Sequence, residues 1–368
     1  MALQIAVIGG GNGCYAAAAD LSEKGHLVRW WRRNREAFEP ILAQHKLKVK
    51  DFQGQREVGV HLASTNLSEV VKGAQLIVIP LPAPAQQDVA KTLAPYLEDG
   101  QVILLPPGTF GSVVMAQTLR EAGCRAEVVF AESGTLPYLA RKHGHDTISI
   151  SGRATRLPTG VFPAEASAYA FSILKQAYPA IEPLQDALDG ALMNAGPIIH
   201  PPLILMNAGP IEHFDRWDIH DEGTQPSIRR IHDLLDAERI TVRETLGYGE
   251  PHFPLANHYD QSPESEEWMY GKGAHERLVD GQDWYEPLDL YQHRYMREDI
   301  ACGLAFLVSV AEWAGVFTPV AQSLLTIASG IVGENFRQTG RTLENLQLAS
   351  LSPDALKTFL QKGTGVLS

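Results

Sequence analysis

The first half of the chain alternates two kinds of signal. Ile5-Ala6-Val7-Ile8 is a short apolar run that ends in glycines, followed by small residues and an amphipathic stretch to Lys24-Gly25. Leu27 to Trp31 reads as a second strand, and Leu76-Ile77-Val78-Ile79 and Val102-Ile103-Leu104-Leu105 as two more, each ending in prolines. Val128-Val129-Phe130 and Thr147-Ile148-Ser149-Ile150 continue the series, and a last β/α element runs through Ala164 to Ile181. Buried strand runs alternating with helices predict a parallel sheet covered on both faces.

From about Leu188 the period becomes helical. Thr224-Gln225-Pro226 reads as a helix start, Ile228, Ile231, Leu235, Val242 and Leu246 line one stripe, and Gly247 closes it. A second helix begins near Arg297, carries Leu304, Leu307, Val308 and Ala311, and stops at Gly315 with Pro319 beyond. Between them, Tyr248 to Tyr291 is rich in Pro, Tyr, Trp, His and Glu, and a connection of that length reads as a lid or binding loop. Its aromatics Phe253, Tyr259, Trp268, Tyr270, Trp284 and Tyr285 suit either an amine pocket or anchorage of the loop to the core. Asn194-Ala-Gly-Pro-Ile-Ile-His200 is echoed by Asn207-Ala-Gly-Pro-Ile-Glu-His213, a period too short for a solenoid and read as coincidence or as two similar helix-end turns.

Composition narrows the class. At 368 residues with 45% hydrophobic and 20% charged positions, the chain has a globular core and a prior of two domains, divided as 1–186 and 187–368. Its 31 basic and 43 acidic residues leave a net charge of −12, which argues against a nucleic-acid binder. Cys14, Cys124 and Cys302 form no CxxC pair, so neither a disulfide framework nor a zinc site is expected. His213, Asp215, Asp218 and His220 fit no compact ligand spacing, so no metal is expected there either. Met1-Ala2-Leu3-Gln4 has no basic or apolar signal-peptide region, and the apolar stretch Ile300 to Val310 is too short to span a bilayer. A cytoplasmic protein is expected.

Gly9-Gly10-Gly11-Asn12-Gly13-Cys14 lies between the first strand and the first helix. Glycine at 9 permits a tight turn, and glycine at 11 lets the backbone approach a pyrophosphate. The helix N-terminus behind them offers oriented N–H groups to phosphate. The third position of G-x-G-x-x-G holds Cys14, but Gly11-x-Gly13-x-x-Ala16 is a second valid register. This predicts an N-terminal Rossmann domain in which Gly9, Gly11, Asn12 and Gly13 bind a dinucleotide. The second strand ends in Trp30-Trp31-Arg32-Arg33-Asn34-Arg35, with no Asp or Glu for the ribose hydroxyls of NAD. Arg32 and Arg33 suit a 2′-phosphate, so NADP(H) is expected over NAD(H), a solvated basic turn being the alternative.

In the second half, His200 stands in Gly196-Pro197-Ile198-Ile199-His200-Pro201-Pro202 and Asp299 at the entry of an apolar helix. By spacing alone, His200 reads as a core or capping histidine ahead of a proton-transfer group. Asp299 is equally an ordinary first-turn charge.

Several segments together resemble the opine dehydrogenases, which include octopine and nopaline dehydrogenases and N-(1-D-carboxyethyl)-L-norvaline dehydrogenase. They are the glycine motif, Pro106-Pro107-Gly108-Thr109-Phe110-Gly111, Ala131-Glu132-Ser133-Gly134-Thr135-Leu136-Pro137-Tyr138 and Ile199-His200-Pro201-Pro202. Leu235-Asp236-Ala237-Glu238-Arg239, Arg294-Tyr295 with Glu298-Asp299, and Gly340-Arg341-Thr342 extend the resemblance over residues 4 to 348. It implies an α/β Rossmann domain plus an all-α domain with the substrate between them. It also implies reductive condensation of an α-keto acid, such as pyruvate, with an amino acid's amino group, reversibly, by NAD(P)H. It makes His200 and Asp299 a catalytic dyad and Arg294 a ligand of a substrate carboxylate. The family often has Asn four residues before the histidine. Here Gly196 stands there, with Asn194 and Asn207 nearby, and Asn207 is the expected substrate-binding amide.

Two other functions share the architecture: an NADP-dependent reductase of 2-keto or 3-hydroxy acids without condensation, and a dinucleotide sensor without chemistry. The partners expected are small molecules, with neither nucleic acid nor membrane. The apolar helical domain suits a homodimer.

Overall fold

The computed structural model describes residues 2–260, 262, 264–273, 275–276 and 288–363. The chain forms two compact units: Met1–Leu81 with Ala85–Ala191 and Phe359–Ser368, and Pro82–Pro84 with Leu192–Thr358.

The first unit is built on an eight-stranded sheet. Its strands are β1 (Gln4–Ile8), β2 (Leu27–Trp31), β5 (Leu62–Ser64), β6 (Leu76–Val78), β7 (Val102–Leu105), β8 (Val129–Ser133), β11 (Leu157–Phe162) and β12 (Ile181–Pro183). The spatial order is β12-β11-β8-β7-β6-β1-β2-β5. From β5 to β8 every pairing is parallel, and the central runs Ile5–Ile8 and Val102–Leu105 are fully buried. The expected parallel sheet is present. It is extended at one edge by β11, antiparallel to β8, and by β12, parallel to β11. Helix α1 (Asn12–Glu23) follows β1, and its run of buried alanines lets it lie close to the sheet.

One strand differs from expectation. Thr147–Arg153 (β10) leaves the main sheet and joins β3 (Lys46–Asp51), β4 (Gly54–Gly59) and β9 (Tyr138–His143) in a separate sheet ordered β4-β3-β10-β9. Here β10 runs antiparallel to β9 and parallel to β3. The reason is visible in Thr147-Ile148-Ser149-Ile150: polar and apolar residues alternate, as in strands with one polar face.

The second unit is helical. The helix Pro226–Thr245 starts and ends as its stripe predicts, with Gly247 at φ +84° behind it. Asp236 and Arg239 are buried on it. Arg239 donates through Nε to Asp236 Oδ1 (2.6 Å) and through Nη2 to the His252 carbonyl (2.7 Å), and Asp236 Oδ2 accepts from Leu255 N (2.7 Å). Glu238 accepts from Val320 N and Ala321 N, capping the helix Pro319–Val332. Leu235-Asp236-Ala237-Glu238-Arg239 thus serves to hold helices and loops together. The two Asn-Ala-Gly-Pro echoes sit where the helices Gly196–Met206 and Ala208–His213 begin. The helix expected near Arg297 starts earlier: Tyr295–Leu304 winds as a π-helix and continues into the α-helix Ala305–Trp313.

Candidate active site

In the first unit, the turn between β1 and α1 is glycine because each glycine meets a different demand. Gly9 has φ +120°, which side-chain-bearing residues avoid, and its N–H donates to the Trp31 carbonyl (2.9 Å). Trp30 Nε1 donates to the Gly9 carbonyl (2.8 Å), while its buried ring meets Tyr15 and Phe38 edge-on at 4.6 and 4.9 Å. A β-carbon on Gly13 would lie 2.8 Å from Leu136 and 2.9 Å from Pro80, so this position serves close packing. A β-carbon on Gly11 would meet nothing within 4 Å; the backbone there is open to an approaching group. Asn12 Oδ1 accepts from Lys142 N (3.0 Å) and ties the start of α1 to the small sheet. Cys14 is tolerated at the third motif position because it is buried as a small hydrophobe, and burial pushes its thiol up to about 12.

A pocket of about 350 Å³ opens beside this turn. Leu81, Ala85, Val89 and Leu93 form an apolar wall, and Arg32 and Arg33 lie at the end of β2 on its rim. Arg32 Nη1 donates to Tyr15 Oη (3.1 Å) and to the Ala37 carbonyl (2.7 Å). An apolar slot, an open glycine turn at a helix N-terminus and a basic rim are the donor set that a dinucleotide requires, so the residues present fit NAD(P).

In the second unit, His200 Nδ1 lies 2.8 Å from Asp299 Oδ2, closing a loop of 99 residues in sequence. The two side chains come from the helix Gly196–Met206 and the π-helix Tyr295–Leu304. The carboxylate uses the space beside Gly196: a β-carbon there would overlap Asp299 Oδ1. The wider π turn also sets Tyr295 over the imidazole, with ring centroids 3.7 Å apart and planes 14° from parallel. Tyr295 Oη and His220 Nε2 are 3.3 Å apart. Burial pushes the Asp299 carboxyl up to about 7, against the pull of Arg294 and His293.

Glu298 is a neighbour that spacing alone did not single out. Burial, reinforced by the Asp299 charge, pushes it up to about 7; its Oε1 accepts from Ala83 N (2.9 Å) and its Oε2 lies 3.8 Å from Arg294 Nη1. Arg294 is half exposed at the start of the π-helix, its guanidinium 5.3 Å from the Tyr295 ring centre. The signal for Tyr295 and Glu298 was their place in the Arg-Tyr-x-x-Glu-Asp segment.

Asn207 does not fulfil its expected role. It is 3% exposed, both N–H groups of its amide donate to backbone carbonyls (Leu203, 2.8 Å; Gly223, 3.1 Å), and its Oδ1 accepts from Trp217 Nε1 (2.9 Å). Such an amide joins two helices and a turn and has no N–H left for a substrate. In the long connection, Phe253, Trp268 and Tyr270 are buried, and Trp268 Nε1 donates to the Phe253 carbonyl, which favours anchorage. Trp284 and Tyr285 lie outside the described residues. Among the described residues no helix is long and apolar enough to cross a membrane, and no cluster of three metal-ligating side chains occurs.

Comparison with known proteins agrees with both halves. The family described as NAD/NADP octopine/nopaline dehydrogenase, alpha-helical domain, matches residues 183–332. The NAD-dependent glycerol-3-phosphate dehydrogenase N-terminus matches residues 4–132. The opine dehydrogenase of Arthrobacter sp. (strain 1C) is 27% identical over 97% of this chain and 98% of its own length. Among solved structures, octopine dehydrogenase in complex with NADH and agmatine superposes with a TM-score of 0.70 at 18% identity, over 97% of this chain and 98% of that one. NADP+-bound yersinopine dehydrogenase gives 0.62 at 16%, over 98% of each chain.

Proposed function

We propose that this chain is an opine dehydrogenase, similar to the family matched over residues 183–332, and that it condenses an α-keto acid such as pyruvate with the amino group of an amino acid, reducing the product with NADPH. It is an NAD(P)-dependent oxidoreductase acting on the CH–NH bond of a secondary amine. The balanced reaction joins the two substrates, releases one water, takes up one hydride and one proton, and runs in reverse as an oxidation. We assign the first unit to the cofactor and the second to the substrates; the division expected at 186/187 differs from these units, which change at Ala191 and return Phe359–Ser368 to the first.

The observation that carries the reading is the His200–Asp299 pair at 2.8 Å, stacked under Tyr295. With Asp299 holding Nδ1, the imidazole is fixed in orientation and acts through Nε2. It takes a proton from the substrate ammonium, which makes the nitrogen a nucleophile toward the keto carbonyl. It then returns a proton to the carbinolamine hydroxyl, which leaves as water. Asp299 stabilises the imidazolium between those steps, and Tyr295 keeps the ring from turning. Arg294 offers two parallel N–H donors to a substrate carboxylate. Gly9, Gly11, Asn12 and Gly13 shape the pyrophosphate turn, and Arg32 and Arg33 select the 2′-phosphate. When bound, the dinucleotide supplies the hydride that reduces the imine carbon.

NADPH oxidation followed with pyruvate, alone and with a panel of amino acids, tests the reading. Turnover that requires the amine supports it; turnover with pyruvate alone replaces it with a simple keto acid reductase.

A further inference from the structure

We infer that Lys142, on the hairpin β9–β10 of the small sheet, joins Arg32 in gripping the 2′-phosphate of NADP(H). The inference rests on the NADP(H) reading above and extends it to a residue outside the glycine motif and outside the end of β2.

The hairpin is fastened to the first turns of α1 at two points. Lys142 N donates to Asn12 Oδ1 (3.0 Å), and Tyr15 Oη donates to the His145 carbonyl (2.7 Å). These bonds fix where the Lys142 side chain begins. Its ammonium lies 5.3 Å from the centre of the Tyr15 ring, and the Arg32 guanidinium donates to the hydroxyl of the same ring at 3.1 Å. Arg32 reaches that place across Gly10, where a β-carbon would overlap its Nε. Tyr15 is therefore a spacer that holds two cations on one site.

Among the described residues, neither cation pairs with a carboxylate; Asp146, in the same hairpin, is taken by Lys48 at 2.9 Å. Burial and the Arg32 charge hold the Lys142 ammonium below its ordinary range. Two like charges brought together without a counter-ion are unfavourable until an anion arrives. The end of β2 is where such folds hold the adenosine ribose, and a 2′-phosphate adds about −2 charge and three acceptor oxygens there. Arg32 supplies planar donors, and Lys142 supplies a compact charge that adapts in direction.

The test compares wild type, Lys142→Ala, Lys142→Arg and Arg32→Ala by isothermal titration with adenosine 2′,5′-bisphosphate and with AMP. NADPH and NADH Michaelis constants are measured alongside. The expected result is that Lys142→Ala weakens the bisphosphate and raises the NADPH constant roughly tenfold, the scale of one charge-assisted hydrogen bond. AMP and NADH should stay within about twofold, and Lys142→Arg should recover most of the loss. Equal losses for both nucleotides, or none, overturn the inference. If Arg32→Ala is selective for the bisphosphate and Lys142→Ala is not, this inference alone fails. If neither is selective, the NADP(H) reading fails with it.

Discussion

Gly196 leaves to Asp299 the space that a side chain would occupy. A β-carbon at 196 would overlap Asp299 Oδ1, and it is the other oxygen of that carboxylate, Oδ2, that meets His200 Nδ1 at 2.8 Å. In this chain the carboxylate occupies the space that a side chain four residues before the histidine would take.

Gly196→Ala is expected to displace the carboxylate, lowering kcat about a hundredfold, the scale of a misplaced catalytic group. Nucleotide affinity, measured by titration, should hold. Unchanged kcat would show that the pair has room to spare.

His200→Ala is expected to lower kcat by about 10²–10⁴, the range for a general acid–base group. Asp299→Asn should fall in the same direction, with cofactor binding intact in both. Steady-state kinetics with the best amine of the panel checks this, and a His200→Ala variant with normal kcat removes the proton relay.

Gly11 and Gly13 should part company. At Gly13 a methyl group meets Leu136 and Pro80, so Gly13→Ala should lower the folding free energy by about 1–3 kcal/mol, the cost of overpacking. At Gly11 it meets nothing, so Gly11→Ala should melt like wild type while weakening NADPH. Thermal melts with and without cofactor separate the two, and equal melting losses contradict the assignment.

The Glu298 carboxyl sets a pH dependence whose sign follows from its burial. Its folded pKa, about 7, is raised above the ordinary 4.5, so between those values the folded state binds the extra proton. Stability from this group is complete below about 4.5 and is lost as pH rises through about 7. His232 and His258, held down to about 4 and about 3, act oppositely but finish titrating near 6.5 in the unfolded chain. The melting point of Glu298→Gln relative to wild type should therefore rise between pH 5 and 8. A difference that is flat or falls across that range rejects the buried charge.

Arg32→Ala or Arg33→Ala should raise the Michaelis constant for NADPH much more than for NADH. Equal effects would return both arginines to a solvated turn.

The nucleotide half was the more legible in sequence, because its signals are local. Strand, glycine turn and helix are contiguous from Ile5 to Glu23, and the roles of Gly9 and Gly11 follow from backbone geometry. The small sheet was missed although Lys46-Leu47-Lys48-Val49-Lys50 alternates strictly, the period of a strand with one buried face. In the helical half, residues 99 apart make the pair, and no local period reports that contact. Resemblance, and no local pattern, pointed to His200 and Asp299, and it could not foresee the packing of Asn207. The fate of that amide depends on Trp217 and Gly223, ten and sixteen residues away, which fold back to consume it. The space between Gly196 and Asp299 was likewise invisible before the two helices were packed.

The most direct test follows the hydride. With 4-deuterated NADPH, pyruvate and the preferred amino acid, the account predicts a secondary amine dicarboxylate. In it, deuterium sits on the carbon newly bonded to nitrogen, and its formation is abolished in His200→Ala. Deuterium found instead in lactate, formed whether or not the amino acid is present, would contradict it.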